Sequence, residues 1–220
     1  MTTLTTPPCA TVVARVFAEA DASDTKLHER RRALPANEWA SLQASNDDYH
    51  ALYASLKDFY LAVSRETAML LYMLARSCRA TSIVEFGTSF GVSTLHLAAA
   101  LRDNGGGRLI GTEFEPAKVA QARANLVAAG LDDLVEIRVG DALETLARDL
   151  PETVDLVLLD GAKSLYPRVL ELLESRLRPG ALLVADNADK CAEYVASVRD
   201  TARGYLSVAF AHDVELSMKT

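Results

Sequence analysis

The chain has 220 residues, a length that fits one domain with a single core and needs no disulfide or metal to hold it together. Half of its residues are hydrophobic and 24% are charged, a composition that excludes disordered and fibrous proteins. The net charge of −7 argues against a nucleic-acid partner, because binding to phosphates needs a basic surface.

The first 80 residues lack strand patterns and are predicted to be helical. An opening segment rich in Thr and Pro, residues 1–10, is expected to be a loose tail. Predicted helices cover residues 11–20, 39–42, 49–61 and 66–76. Since no linker or repeat is visible, we expect one domain over 1–220, with 1–80 as a helical N-terminal extension of an α/β core at 81–220.

After residue 80, short apolar runs alternate with helical segments. The runs lie at residues 82–86, 109–113, 135–139, 154–159 and 182–185. Such alternation predicts β-α-β units, and therefore a mostly parallel sheet with helices on both faces.

Proline and glycine set the predicted bounds of two helices in this region. Pro116 opens one helix that stops at Gly130, and Pro167 opens another that stops at Pro179-Gly180. The end of the chain has a different pattern, because two strand-like runs at 205–211 and 214–219 follow one another without a helix between them. These runs, joined at His212-Asp213, predict an antiparallel hairpin.

A glycine-containing turn, Gly87 to Ser93, follows the first predicted strand and precedes a helix. Glycine lets a ligand approach the backbone, and the helix N-terminus offers free N–H groups, so this corner suits a nucleotide-like cofactor. A tight connection without a ligand is the alternative. Glu113, at the end of the second strand, favours the cofactor because a carboxylate there can accept both hydroxyls of a ribose.

Two further acidic residues near this corner allow a simpler interpretation. Glu115 abuts Pro116 at a helix start, where a negative charge favours the helix dipole. Asp141-Ala142 follows the third strand and could meet an adenine edge, but Asp141 serves equally well as a helix N-cap. Both roles are compatible for Asp141.

Polar side chains end the fourth and fifth predicted strands. Asp160 follows one buried run, and Asp186-Asn187 follows the next. If the strands are neighbours, these three side chains converge at the edge of the sheet, where α/β folds place ligands. Two carboxylates and an amide suit a hard cation, above all Mg²⁺. Lys163 lies within reach and is either a base beside that cation or a solvated lysine at a helix start.

The cysteines Cys9, Cys78 and Cys191 are scattered, with neither disulfide nor metal-ligand spacing. The first ten residues lack the basic start and apolar core of a signal peptide, and no apolar run is long enough for a membrane span. A cytoplasmic protein without a membrane partner is therefore expected.

Four motifs now make the chain recognisable: residues 84–93 (VEFGTSFGVS), 112–113 (TE), 159–163 (LDGAK) and 185–187 (ADN). Together, over roughly residues 63–219, they resemble the cation-dependent O-methyltransferases, the family that includes catechol O-methyltransferase and the caffeoyl-CoA O-methyltransferases. The resemblance implies a Rossmann-like seven-stranded sheet with an antiparallel last strand. It also implies S-adenosylmethionine and a divalent metal as cofactors, and a homodimer.

The resemblance assigns a role to each motif residue. It implies cofactor binding by Val63, Glu85, Gly87, Ser89, Ser93, Glu113, Asp141, Ala142 and Asp160. It implies metal binding by Asp160, Asp186 and Asn187, with Lys163 as the catalytic base assisted by Asp160. The expected reaction is direct methyl transfer to a hydroxyl of a small acceptor.

The acceptor is expected to be catechol-like or polyphenolic, but not catechol itself. The glycine turn differs from the Gly-Ala-Tyr-Cys-Gly of the catechol enzymes, and Gly161-Ala162 stands where they have His-Trp, which reduces the aromatic wall. A metal-independent methyltransferase is the nearer alternative. A nucleotide-dependent oxidoreductase would share the sheet and Glu113, but it would have no use for the acidic residues after the fourth and fifth strands.

Overall fold

A computed structural model describes residues 1–33, 55–211 and 213–220. The described helices are α1 Cys9–Ala33, α2 Arg65–Ser77, α3 Val92–Asp103, α4 Pro116–Ala129, α5 Ala142–Thr145, α6 Tyr166–Glu174 and α7 Ala192–Arg199. The strands are β1 Ser82–Phe86, β2 Arg108–Glu113, β3 Val135–Val139, β4 Val154–Leu159, β5 Leu177–Ala185, β6 Tyr205–Phe210 and β7 Val214–Lys219. Across these described ranges, no helix is both long and apolar enough to cross a bilayer.

The seven strands form one sheet in the order β3-β2-β1-β4-β5-β7-β6. The pairings from β3 to β5 are parallel, whereas β7 runs antiparallel to β5 and β6 runs antiparallel to β7. This confirms the predicted α/β fold class and the closing hairpin. The strand order also places the ends of β1, β4 and β5 side by side, so the side chains that follow them share one edge.

Successive residues of the central strands feed two separate cores, one on each face of the sheet. Ile83 and Leu156 belong to the core that α1 to α4 cover, while Val84 and Val157 belong to the core under α5 to α7. Every residue of β1 and β4 is buried. Both strands therefore appear in the sequence as mainly apolar runs rather than as alternating patterns.

The N-terminal segment is ordered, so the prediction of a loose tail is wrong. The backbone N–H of Thr3 donates to the Asp103 carboxylate at 3.0 Å, and the Thr3 hydroxyl donates to it at 2.6 Å. Leu4 is buried in the core, and α1 begins at Cys9 rather than at Thr11. The predicted helix at 39–42 and residues 49–54 of the one at 49–61 lie outside the described residues. The described part of the second one, residues 56–61, forms turns and irregular structure, so a helix there is wrong.

The predicted end of α6 at Pro179-Gly180 is also wrong. The helix ends at Glu174, and both residues lie within β5, which begins at Leu177. The pairing with β4 is irregular between Val154 and Leu156, so the strand absorbs Pro179, which has no N–H to donate, at a bulge.

Asp155 lies at this bulge and joins three parts of the chain. Its carboxylate accepts the backbone N–H groups of Thr81 at 2.8 Å and Ser82 at 3.0 Å, and it pairs with Arg178. Burial raises the pKa of Asp155, but the hydrogen bonds from Arg178 and from the two backbone groups outweigh it and hold the pKa below its usual value. The charged form of Asp155 is therefore favoured by folding.

Asp155→Ala should lower the free energy of unfolding by about 1.5–3 kcal/mol at pH 7, the scale of hydrogen bonds to a charged group. A carboxyl with a lowered folded-state pKa stabilises the protein above its unfolded pKa and loses that contribution as the pH falls through the folded value. Urea unfolding should therefore show a smaller difference below about pH 4.

Asp133→Ala is the control, because Asp133 is 59% exposed in its ion pair with Arg102. Its removal should change the unfolding free energy by less than about 1 kcal/mol at either pH. Equal effects of the two substitutions would contradict the role given to Asp155.

Candidate active site

A cleft opens at the carboxyl edge of the sheet. Its walls include Phe86, Gly87, Ser89, Glu113, Lys118, Asp141, Ala142 and Asp160. A smaller space shares Gly87, Ser89 and Asp160 with it and is also lined by Val63 and Ser93. Most of the residues predicted to bind the cofactor thus line these two spaces.

The glycine turn needs glycine at its first position. Gly87 has a φ of +101°, and a Cβ atom there would lie 2.6 Å from the backbone carbonyl oxygen of Asp160. The turn then passes Ser89, which has a φ of +48° and a buried hydroxyl with no hydrogen-bond partner among the described residues. A buried polar group of this kind, beside a cleft, is suited to a ligand.

Glu85 lies beneath the turn rather than on the cleft wall. Its fully buried carboxylate accepts hydrogen bonds from the hydroxyls of Thr88, Ser93 and Thr94 at 2.9, 2.6 and 2.6 Å. Burial raises the pKa of Glu85 to about 7, although these hydroxyls favour the ionised form. The structure therefore does not support the predicted direct contact of Glu85 with the cofactor; the residue instead holds the turn and the start of α3 in place.

Glu113 ends β2 at the cleft and is held by backbone groups on both sides. One carboxylate oxygen accepts the N–H of Ser89 and the other accepts the N–H of Glu115, both at 2.8 Å. Each oxygen keeps further acceptor capacity, so the carboxylate is fixed in place while it can still accept two hydroxyls. Glu115 caps α4 by accepting the N–H of Ala117, which is the simpler role predicted for it.

The start of α5 forms another part of the cleft wall. Asp141 accepts the N–H of Leu143 at 2.8 Å and is the N-cap of this helix. Asp141 and Ala142 also line the cleft. The cap is therefore present, while contact with an adenine stays a prediction.

Asp160, Lys163 and Asp186 come together where β4 and β5 end. The Lys163 ammonium lies 3.0 Å from the Asp160 carboxylate, and both side chains are largely buried. Asp160 and Asp186 share a hydrogen bond, and burial followed by the Asp160 charge raises the pKa of Asp186 to about 7. Burial also raises the pKa of Asp160, although Lys163 opposes this.

Asn187 lies beside this pair in a left-handed conformation, with a φ of +49°. Its amide nitrogen donates to the Asp213 carboxylate at 3.0 Å, and this bond leaves the amide oxygen available. Asp213 lies close enough to Asp186 to raise its pKa further. This hairpin residue was not predicted as part of the site, because only the folded sheet brings β7 beside β5.

The donor atoms fit a hard divalent cation. Among the described residues, no three His, Cys, Asp or Glu side chains form a metal-binding group, so the oxygens of Asp160, Asp186 and Asn187 would form the set. Two buried carboxylates in contact repel one another unless a proton or a cation lies between them. Oxygen donors of this kind are those that Mg²⁺ prefers.

Sequence reasoning also missed Lys118, which lines the cleft although only 3% of it is exposed. Its ammonium lies 5.4 Å from the centre of the Phe90 ring, and burial lowers its pKa. Lys118 is in the first turn of α4, where a cation opposes the helix dipole. This unfavourable position of a cation was the signal available in the sequence, because residues that conflict with local structural preferences cluster at functional sites.

This sheet order, with a glycine turn, an acidic residue after β2 and a cleft at the carboxyl edge, defines the Rossmann-like methyltransferase class. A family model described as a methyltransferase domain matches residues 84–188. A candidate O-methyltransferase of Mycobacterium sp. strain JLS is 32% identical over 178 residues, which cover 70% of this chain and 80% of that protein. The chain therefore belongs to the O-methyltransferase family that this relative represents.

Two further relatives extend the comparison. The catechol O-methyltransferase of Niastella koreensis is 38% identical over 130 residues, but the match spans only 58% of either protein. The crystal structure of an O-methyltransferase from Streptomyces achromogenes involved in tomaymycin synthesis, in complex with S-adenosylmethionine, superposes with a TM-score of 0.65. It is 28% identical, with 81% of this chain and 89% of that one covered.

Gly87→Ala should disrupt the cleft more than a glycine substitution at the same backbone angle elsewhere. Gly105 shares the φ of +101°, but a Cβ atom there meets nothing within 4 Å. Gly105→Ala should therefore cost only the backbone strain, about 1–3 kcal/mol. Gly87→Ala should cost more, because it also pushes the turn away from Asp160.

Urea unfolding and calorimetric titration with S-adenosylhomocysteine check this pair of variants. Gly87→Ala should lose most of its affinity for the ligand, while Gly105→Ala keeps it. Equal unfolding free energies together with unchanged affinities would show that the close approach is unimportant.

Proposed function

We propose that this chain transfers a methyl group from S-adenosylmethionine to a hydroxyl of a small catechol-like or polyphenolic acceptor. A divalent cation, Mg²⁺ by preference, would be held by Asp160, Asp186 and Asn187. The observation that carries the proposal is the contact of Lys163 with Asp160, beside Asp186, at the wall of a cleft that also contains Glu113.

The proposed cofactor site has a ribose part, an adenine part and a methionine part. Glu113 would accept the ribose hydroxyls, and Asp141 with Ala142 would border the adenine. Gly87, Ser89 and Ser93 would border the methionine part, with Val63 on the opposite wall. Ser89 offers the hydroxyl that the described residues leave without a partner.

The acceptor side rests on Lys163 and the two aspartates. In its neutral form the Lys163 amine would take the proton of the acceptor hydroxyl, and Asp160 would hold the resulting ammonium. The acceptor oxygen then forms a bond to the methyl carbon, the bond from that carbon to sulfur breaks, and the neutral thioether leaves. A bound cation would supply positive charge that favours an ionised acceptor oxygen.

Two adjacent acceptor oxygens fit this arrangement best. Three protein donors leave part of a cation's coordination sphere for substrate and water oxygens. A vicinal diol could bind through both oxygens, which would fix the oxygen that faces the methyl group. We therefore expect diols or catechol-like acceptors to be preferred over isolated hydroxyl groups.

We further propose that residues 1–220 act as one domain, and by resemblance to the family that the protein is a cytoplasmic homodimer. The first helix supports the single domain, because Val16 and Phe17 of α1 belong to the same core as Ile83 of β1 and Leu95 of α3. A helical extension that shares its core with the sheet does not fold separately from it.

Asp186→Ala should abolish methyl transfer but leave the affinity for S-adenosylhomocysteine within a few fold, because Asp186 lies on the acceptor side of the cleft. Excess chelator should have the same effect on the wild type, and added Mg²⁺ should restore the chelated enzyme. It should not restore Asp186→Ala, because one carboxylate and one amide hold a hard cation poorly.

Asp189→Ala provides the control for this test, since Asp189 is exposed and only three residues away. It should retain full activity and the wild-type response to Mg²⁺. Full wild-type activity in chelator, with no metal detected by elemental analysis, would instead support a metal-independent methyltransferase whose two aspartates share a proton.

Lys163→Met should lower the rate of transfer by roughly 10²–10⁴-fold, the range for loss of a general base. Lys163→Arg should not restore it, because a guanidinium does not release its proton in this pH range. Single-turnover kinetics with saturating cofactor measure this rate, and Lys190→Met is a control at an exposed position. Near-normal transfer by Lys163→Met across the pH range would remove Lys163 from the mechanism.

A further inference from the structure

Tyr166, the first residue of α6, connects the ends of two neighbouring strands. Its hydroxyl lies 2.8 Å from the carbonyl oxygen of Leu159 and 2.8 Å from the carbonyl oxygen of Asp186. Both oxygens are acceptors, so the hydroxyl donates its one proton to a shared position between them. The residue is completely buried.

The two carbonyl groups belong to the chain segments that carry Asp160 and Asp186, which are called the acid pair below. Leu159 immediately precedes Asp160 at the end of β4, and Asp186 follows the last residue of β5. The backbone N–H of Asp186 also donates to the Leu159 carbonyl at 2.9 Å. The Tyr166 hydroxyl therefore adds a second link across the point where both carboxylates leave the sheet.

The ring of Tyr166 lies against Lys163, the third charged side chain of the proposed site. The Lys163 ammonium is 5.3 Å from the ring centre, within the range of a cation–π contact. The ring itself is held by edge-on contacts with Phe86 at 6.2 Å and Tyr194 at 5.6 Å. Its position is thus set by packing and does not depend on Lys163.

We propose that Tyr166 is a positioning residue, whose hydroxyl fixes the spacing of Asp160 and Asp186 and whose ring supports Lys163. This inference rests on the proposed function of those three side chains. Tyr166 itself touches neither acceptor nor cofactor in this role. It acts by holding the two strand ends at the separation that allows the carboxylates to share one ligand.

A purely structural tyrosine would behave differently when its hydroxyl is removed. Tyr166→Phe keeps the ring and its edge-on contacts, so a structural role predicts lower stability with unchanged metal binding and turnover. A positioning role predicts a change at the acid pair while the cofactor side is unaffected. Groups that orient metal ligands typically account for 10–100-fold in metal affinity or activity, which sets the expected scale.

Tyr194→Phe is a closely matched control. Tyr194 is fully buried, its ring contacts that of Tyr166, and its hydroxyl lies near Ser217 of β7 rather than at the ends of β4 and β5. Removing this second hydroxyl therefore removes the same atom from the same core without releasing a strand end. Any effect found only in Tyr166→Phe belongs to the link between β4 and β5.

The experiment compares wild type, Tyr166→Phe and Tyr194→Phe by calorimetric titration with Mn²⁺, by titration with S-adenosylhomocysteine, and by kcat and KM for a catechol-like acceptor. In Tyr166→Phe, Mn²⁺ should bind roughly 10–100-fold more weakly and kcat should fall by a similar factor. The affinity for S-adenosylhomocysteine should stay within about twofold, since Tyr166 is not among the residues that line the cleft or the smaller space beside it. Tyr194→Phe should match the wild type in every titration.

Wild-type Mn²⁺ affinity and kcat in Tyr166→Phe would overturn the inference, whatever happens to its melting temperature. If the wild type itself binds no Mn²⁺ and keeps its activity in chelator, the proposed metal site fails. The positioning role is then decided by kcat alone, because Lys163 and Asp160 remain.

Hydrogen exchange in the wild type keeps the inference testable if Tyr166→Phe does not fold. The amide of Asp186 should exchange as slowly as those within β5, because both strand ends are held together. Exchange as fast as that of an exposed turn would contradict the link.

Discussion

The close approach of the glycine turn to the end of β4 determines where the rest of the cleft lies. The Asp160 N–H donates to the Phe86 carbonyl at 2.8 Å, and a side chain at Gly87 would overlap the Asp160 backbone. On the other side, a Cβ atom at Gly161 would lie 2.4 Å from the Phe86 ring. Gly87 and Gly161 thus let β1 and β4 end in contact, so the glycine turn and the acid pair lie next to one another.

Carboxylates are concentrated in and around the cleft, and each has a different kind of neighbour. Glu85 is surrounded by hydroxyls, Glu113 is held by backbone N–H groups, and Asp160 has the Lys163 ammonium. Asp186 has no such cation of its own in direct contact among the described residues, and its pKa is raised to about 7. It is therefore the carboxylate for which a bound cation would change the electrostatics most.

The strands were predictable because burial on both faces leaves a mainly apolar run, as in β4, and the bounds of β1, β3 and β4 match the predicted ones. The same burial explains why the side chain of Glu85 was misplaced, since a run without alternation does not show which face a residue occupies. Asp213 and Tyr166 could not be predicted as neighbours of Asp186, because their proximity arises from the sheet order and from helix packing. The end of α6 was misplaced because Pro179 and Gly180 also suit a bulge.

The strand order β1-β4-β5 also determines which substitutions can affect one side of the proposed site without affecting the other. Asp160 ends the middle strand, so its backbone contacts the glycine turn while its side chain contacts both Lys163 and Asp186. Asp186 follows the strand beyond it and is not among the residues that line the cleft or the smaller space beside it. With the roles proposed above, changes at Asp186 should affect the acceptor side alone. Changes at Asp160 should affect both sides, because its backbone contacts the turn and its side chain contacts Lys163.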